Sequence, residues 1–281
     1  MSDASGLVQQ VLAVLAEQRG VDLRDYRPEA TERGVRTRLD ATGVKDASSY
    51  LEQLRQRPDE TELLLRALLV SVTTFFREPA LFAALHDHIL PPLIQRKGAR
   101  ALFRAWVAGC ATGEEAWSLA TVLAPLTSRF DVVASDLDDA ALRVATAGRY
   151  PSGAANHIPA HWRADLVEAD GSVCVPERLR SHVVFERHDM LGPTLAPVAS
   201  VVAAFDLVLC RNVLIYFDRR LQVVALKRLA SVLEPGGVLV LGVVESLPRA
   251  LHGYFTPVEL AAAPGTPSGL SRVFRREAGA P

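Results

Sequence analysis

Across residues 1 to about 70, apolar positions recur at every third or fourth place. LVQQVLAVLAEQRG follows this spacing and stops at Gly20, and SSYLEQLRQRP follows it up to Pro58. Such spacing predicts amphipathic helices, and no strand-like alternation interrupts it. Asp59 stands where it can cap a further helix, TELLLRALLV, which runs into SVTTFFREP. There the β-branched cluster and Pro79 predict a connecting segment. LFAALHDHILPPLIQRKG predicts one more helix, broken near Pro91 and Pro92.

From residue 102 short apolar runs alternate with helical patterns, the order expected of a parallel sheet in an α/β fold. The runs are LFRAWVAG, FDVVASD, HVVFERHD, FDLVLCRN and GGVLVLGVVES. Between several of them lie the helical stretches EEAWSLATVLAPL, DAALRVATAG and RLQVVALKRLASVLEPGG. VAAFDLVLC and GVLVLGVV are continuously apolar, as strands covered on both faces should be. YFTPVEL and SRVFRRE predict a closing hairpin. Residues 151–181 are too long for an ordinary connection of roughly 2 to 6 residues, so an inserted small β subdomain with short strands around Gly171 is expected. The resulting division is a helical N-terminal domain at 1–75 and an α/β domain at 76–281.

Composition narrows the function classes. The chain has 281 residues, 49% of them hydrophobic and 22% charged, with a net charge of -1. That balance shows no basic stripe interleaved with aromatics, so no nucleic-acid partner is expected. MSDASGLVQQ lacks a leader pattern and no window holds ~18 uninterrupted apolar residues, so a cytoplasmic protein without direct membrane insertion is expected. Cys110, Cys174 and Cys210 lie far apart, which predicts neither a disulfide framework nor a metal site. His86 and His88 stand at i, i+2, a spacing unsuited to metal binding from one helix face.

Chemistry-bearing residues gather at the ends of the apolar runs. Gly109 and Gly113 bracket the first exit, where glycine lets backbone approach a bound group. The spacing matches neither a dinucleotide fingerprint nor a P-loop, so NAD and ATP are not expected. Asp136 ends the second run, where a carboxylate can accept both hydroxyls of a ribose, or can cap the next helix, a role equally open to Asp138. The third run ends in Asp189 and Met190, suited to an adenine amino group and its ring. Arg211 and Asn212 leave the fourth run, and burying a cation and an amide there requires partners.

Four collinear segments carry a family resemblance: TTFFREP at 73–79, WVAGCATGEEAWSLA at 106–120, CRNVLIYFD at 210–218 and LEPGGVLVLGVVESL at 233–247. With them the chain resembles the CheR family of chemotaxis receptor methyltransferases over nearly its whole length. The resemblance implies a doubly wound class I S-adenosylmethionine-dependent methyltransferase sheet with a small all-α N-terminal domain. It implies methyl transfer from S-adenosyl-L-methionine to the γ-carboxylate of glutamates in the cytoplasmic domain of a chemoreceptor, with S-adenosyl-L-homocysteine as product. The setting implied is signal transduction in chemotaxis.

Position by position, the resemblance places cofactor contacts on Ser71, Thr73, Arg77, Glu114, Asp136, Asp189, Met190, Arg211 and Asn212, beside the cofactor-binding candidate Gly109 at the first strand exit. Arg77 suits the methionine carboxylate and Glu114 its ammonium, by opposite charge. Tyr216 is the candidate for orienting the substrate glutamate, or else a tyrosine packed beneath the sheet. Ser71, Ala116-Trp117, Asp189-Met190 and Val243-Val244 depart from residues often found in the family. Arg33 and Arg36 at i, i+3, with Arg38 nearby, form a candidate docking face for receptor glutamates, or pair with Glu29, Glu32 and Asp40. A monomer is expected, and the few glycines of the insert, Gly153 and Gly171, favour no receptor-tail tether. Two alternatives stay open: a methyltransferase of the same fold acting on another protein in a different signalling pathway, and a non-catalytic cofactor-binding regulatory module.

Overall fold

A computed structural model describes residues 2–44, 46–69, 72–98, 100–168, 170–200, 204–258 and 272–279. The chain forms two compact units, Met1–Ser71 with Ile215–Gln222, and Val72–Leu214 with Val223–Pro281.

The described residues of the first unit's first segment form the helices α1 (Ser2–Arg19), α2 (Pro28–Thr42), α3 (Ala47–Gln56) and α4 (Pro58–Leu68). Their apolar stripes meet through Val11, Leu12, Leu15, Tyr50, Leu54 and Leu64, all buried. Gly34 lets α2 approach α4, because a Cβ there would sit 2.9 Å from the Ala67 carbonyl oxygen. The α4 cap differs from expectation: Arg57 occupies the cap position, Pro58 opens the helix and Asp59 pairs with Arg57 at 2.6 Å. Proline at the first helical position needs no donor and leaves the helix start two residues earlier than an Asp59 cap would set it. At α3, Asp46 accepts the Ser49 N–H at 2.9 Å, and bonds from Ser48 and Ser49 hold its carboxyl down to about 2. The later segment joins this unit through Phe217, whose ring meets Tyr26 edge-on at 5.0 Å and whose carbonyl accepts from Arg27 Nε at 3.0 Å.

Buried among these helices is a charged triad. Glu60, 2% exposed, receives Arg38 Nε at 3.0 Å, Arg38 Nη2 at 2.8 Å and the Tyr50 hydroxyl at 3.1 Å. Burial, reinforced by the Glu60 charge, raises the Tyr50 phenol well above its ordinary range.

The second unit is built on a seven-stranded sheet in the order β5-β2-β1-β6-β7-β9-β8. Its strands are β1 (Phe103–Ala108), β2 (Phe130–Asp136), β5 (Val183–Arg187), β6 (Phe205–Cys210), β7 (Leu233–Leu241), β8 (Phe255–Pro257) and β9 (Val273–Arg276). The first five of these pair in parallel, while β9 runs antiparallel to both β7 and β8. Helices α7 (Glu114–Leu123), α8 (Asp139–Ala147) and α11 (Arg219–Val232) fall between strands in sequence. Strand β1 pairs with β2 on one side and β6 on the other. The chain order reverses there, which opens a crevice at the carboxyl ends of these strands.

Three local features differ from the sequence pattern. The last helix stops at Val232, and Leu233 already pairs with Phe205. Pro235 and Gly236 fall in a register shift of β7, where a bulge absorbs residues that cannot continue a ladder. The helix at 79–97 breaks ahead of its prolines: α5 (Pro79–Ala84) passes through a π turn at Leu85–Ile89 into α6 (Leu90–Lys97). Pro91 and Pro92 lack the donors that a continuous ladder needs, and the wider turn accommodates the loss.

The insert also differs in content. Among the described residues its sheet is β3 (Arg149–Tyr150) against β4 (Val173–Cys174), with a further bridge from Val167 to Val173 across the turn at Gly171. Helical turns make up more of it, at Ser152–His157, α9 (Ala160–Leu166) and α10 (Glu177–Arg180). Ile158, Leu166, Val173, Val175 and Leu179 join the same buried cluster as Leu119 and Val132, so the insert has no separate core. Among the described residues no helix is long and apolar enough to cross a membrane.

Candidate active site

Among the described residues of the second unit, four that are not glycine have left-handed backbone: Phe76 (φ 48), Glu78 (φ 65), Ala111 (φ 48) and Asn212 (φ 60). Each such residue costs on the order of 1 to 3 kcal/mol and persists only where surrounding contacts dictate it. Here a buried or half-buried polar side chain meets every one. Phe76 donates its N–H to Ser118 Oγ at 2.9 Å, and Glu78 pairs with Arg211 at 3.0 Å. Ala111 donates to Asp136 Oδ2 at 2.8 Å, and Asn212 donates to Glu245 Oε2 at 3.0 Å. The strained positions follow β1, follow β6 or precede α5, so the crevice is walled by loops held in fixed conformations.

At the β1 exit, Gly109 (φ 74) and Gly113 (φ 92) also need the left-handed region. A Cβ at Gly109 would drive into Val213, and one at Gly113 would sit 2.6 Å from the Ala145 Cβ. Close packing of the chain on itself is thus one reason for both glycines. Asp138 caps α8, accepting from Ala140 at 2.9 Å and Ala141 at 3.2 Å. Asp136 accepts the Asp138 N–H at 3.0 Å and the Ala111 N–H, so each of its oxygens keeps acceptor capacity. Burial raises the Asp136 carboxyl above its ordinary range, against three backbone hydrogen bonds that lower it. Glu114 opens α7, buried, taking the Thr112 hydroxyl at 2.6 Å, and burial raises its carboxyl also.

The β5 exit is tied to β2 by the His188 N–H, which donates to the Asp136 carbonyl at 3.1 Å. Asp189 then accepts the Leu191 N–H at 2.8 Å, and Met190 is buried. At the β6 exit the Glu245 carboxylate collects four backbone donors: Gly242 at 2.6 Å, Asn212, Val213 at 2.9 Å and Leu214 at 2.8 Å. Asn212 Oδ1 is left buried without a hydrogen-bond partner among the described residues.

The comparisons with known proteins agree with this geometry. The family model described as "CheR methyltransferase, SAM binding domain" matches residues 71–263, and that described as "CheR methyltransferase, all-alpha domain" matches residues 8–69. The chain belongs to the CheR methyltransferase family. It is accordingly a methyltransferase that uses S-adenosylmethionine. An uncharacterized 104.1 kDa protein of Rhodobacter capsulatus is 32% identical over 88% of this chain, which spans 26% of that protein. Chemotaxis protein methyltransferase 2 of Pseudomonas aeruginosa is 30% identical over 87% of this chain and 88% of its own length. The probable biofilm formation methyltransferase WspC of Pseudomonas putida is 34% identical over 84% of this chain and 56% of its own length. The chain thus spans about a quarter and about half of the first and third of these relatives.

The CheR cofactor fits the residues at hand. Carboxylates at Asp136 and Glu114 suit hydroxyl and ammonium donors, the half-buried Arg77 suits a carboxylate, and the unpartnered Asn212 Oδ1 suits a further donor. Gly109, Thr73, Arg77, Glu114, Asp136, Asp189, Met190, Arg211 and Asn212 all lie in the second unit. Ser71 lies outside the described residues. The two Nη groups of Arg211 are taken up by Glu115, Glu78 Oε1 and the Arg77 carbonyl, while its buried Nε has no hydrogen-bond partner among the described residues. Tyr216 belongs to the helical unit, where its carbonyl accepts the Arg27 N–H at 3.0 Å. Arg33 and Arg36 are exposed on α2, whereas Arg38 is turned inward to Glu60 and drops out of the candidate docking face.

Sequence reasoning passed over Glu78, Glu115, Ser118 and Glu245 as site residues. All four nevertheless lie inside the segments that carry the resemblance, 73–79, 106–120 and 233–247. Glu245 binds backbone N–H groups, which leave no mark in sequence.

Proposed function

We propose that the chain transfers the methyl group of S-adenosylmethionine to the γ-carboxylate of glutamates in cytoplasmic helices of a chemoreceptor, acting as a cytoplasmic monomer in sensory adaptation. The observation that carries this reading is the crevice at the β1, β2 and β6 exits, where anchored left-handed loops present carboxylates and amides. Relatives named chemotaxis protein methyltransferase support the choice of substrate.

Bound S-adenosylmethionine supplies an electrophilic methyl on a sulfonium. Arg77 pairs with its carboxylate and Glu114 with its ammonium, while Asp136 accepts the ribose hydroxyls. Asp189 accepts from the adenine amino group and Met190 packs on the ring. Gly109, Thr73, Ser71 and Asn212 complete the contacts. A glutamate side chain of reference pKa about 4.3 is already an anion at neutral pH, so no general base is required. The protein's contribution is positioning in a site that excludes water, and Tyr216 orients the incoming carboxylate. Cys110 and Cys210 play no part, since burial raises both thiols well above the range in which thiolate forms. Arg33 and Arg36 supply an exposed cationic face to which glutamate-bearing helices dock.

Incubation with methyl-labelled cofactor and receptor cytoplasmic fragments tests this. Base-labile label is expected, and fragments whose acceptor glutamates are replaced by alanine should take up none. Tyr216→Phe should retain cofactor affinity and lose turnover. The relative named for biofilm formation favours a second reading, methylation of a receptor in another signalling pathway, and label only on fragments of such a receptor would select it. Cofactor binding with no label on any receptor would point to a regulatory module instead.

A further inference from the structure

The Arg211 side chain is fully buried, with a relative exposure of 0%. Its guanidinium ties together three segments. Nη1 bonds Glu115 on α7, while Nη2 bonds both Glu78 Oε1 and the Arg77 carbonyl oxygen at 3.0 Å each. The guanidinium carbon also lies 5.9 Å from the centre of the Phe82 ring on α5. Desolvation lowers the arginine's affinity for its proton, but the two carboxylates outweigh it, so the cation persists.

What this strut holds is the turn that carries Arg77. Phe76 and Glu78, on either side of Arg77, both have left-handed backbone. Phe76 is fixed by the hydroxyl of Ser118, which in turn donates to the Glu114 carbonyl at 2.7 Å. Glu78 and the carbonyl of Arg77 are fixed by Arg211. Both anchors return to α7, the helix that opens with Glu114. The cationic and anionic ends of the proposed amino-acid subsite are therefore clamped to one helix, and these anchors help sustain strain at two residues, with Phe76 also packed on the Phe82 and Trp162 rings.

From this geometry we infer that Arg211 is a positioning residue, acting through Glu115 and Glu78 to set Arg77 against the carboxylate of the cofactor. The inference rests on the reading of Arg77 as the carboxylate partner. It identifies which half of the cofactor Arg211 serves: the amino-acid end, at second hand.

Calorimetry with two probes tests it, S-adenosylhomocysteine and 5′-methylthioadenosine, the second of which lacks the amino-acid end. Arg77→Ala should weaken the first by roughly ten- to hundredfold, the scale of a lost charged hydrogen bond, and leave the second unchanged. Arg211→Lys, Glu115→Gln and Glu78→Gln should show the same selectivity with smaller losses. Glu78, with 30% side-chain exposure, offers a substitution that leaves the fold intact should the fully buried position not tolerate change. Adding Glu78→Gln or Glu115→Gln to Arg77→Ala should weaken binding no further, because their effect runs through Arg77. Parallel loss of both probes, or additive losses in the double variants, overturns the inference. Selective loss in Arg77→Ala with none in the other three overturns it alone. Absence of selective loss in Arg77→Ala overturns the reading of Arg77 and this inference together.

Discussion

Each unit buries an arginine against carboxylate, and the two are built for different ends. In the helical unit Arg38 meets Glu60 with a bidentate fork, Tyr50 completes the set, and every participating residue sits in regular helix. In the α/β unit Arg211 meets Glu115 and Glu78 from three chain segments, and two of the residues it serves border or adopt left-handed backbone. The first network joins elements that would be helical without it. The second maintains a conformation that would relax without it. A buried ion pair is therefore poor evidence of function by itself; strained backbone at its far end is what marks the second as part of a site.

The comparison can be broken most sharply at Arg38. Arg38→Ala leaves Glu60 charged, buried and uncompensated, and should cost about 3 to 5 kcal/mol in thermal or urea unfolding of the helical unit. Arg33→Ala, on the exposed face of the same helix, should change stability by no more than about 0.5 kcal/mol. Equal effects would mean that the Arg38 triad contributes nothing beyond helix propensity.

Next in size is Asp136→Asn. Loss of its carboxylate should weaken S-adenosylhomocysteine by about 1.5 to 3 kcal/mol, and the apo variant should lose less stability than the parent as pH rises from about 4 to 8. The sign follows from burial: Asp136, Glu114 and Glu245 all hold their protons more tightly folded than unfolded. Such groups stabilise fully below the unfolded value and lose that contribution as pH rises through the folded one. Removing one charge relieves the cost, as expected where a site is kept charged for a ligand. Cofactor that binds Asp136→Asn as tightly as the parent would leave Asp136 with the Ala111 turn as its whole role.

A pH titration gives a smaller effect in the same direction. Binding needs Glu114 ionised against the cofactor ammonium, so affinity should fall with decreasing pH, starting above the ordinary glutamate value of 4.5. Glu114→Gln should be weaker throughout and flatter, and a profile identical to the parent would remove Glu114 from the ammonium. The smallest change concerns docking. Reversing charge at Arg33 and Arg36 should raise the receptor KM at low salt, with the difference shrinking as exposed charges are screened over ~8 Å. Cofactor affinity should stay put, and an unchanged KM at low salt would move receptor recognition elsewhere.

How much of this was legible in the sequence depends on the kind of partner each residue has. Apolar spacing located the helices and the continuously apolar β6, and the exits of β1, β2 and β6 pointed to Gly109, Asp136, Arg211 and Asn212. Spacing alone also argues against grouping Arg38 with Arg36, since i, i+2 residues face different sides of a helix, and Arg38 indeed turns to Glu60. The partner itself, 22 residues away, is a tertiary fact. So are the four N–H groups on Glu245 and the Ser118 hydroxyl under Phe76, because backbone donors carry no residue identity. The π turn at Leu85–Ile89 escaped for another reason: two prolines predict that a helix breaks, while packing decides on which side of them it does so.

The most direct measurement is a crystal structure of the protein with S-adenosylhomocysteine. The amino-acid carboxylate is expected on the Arg77 guanidinium, the ammonium on Glu114 and both ribose hydroxyls on Asp136, with Arg211 still bound to Glu115 and Glu78. A ligand seated away from the β1 and β2 exits, or a carboxylate held by Arg211 in place of Arg77, would contradict the site described.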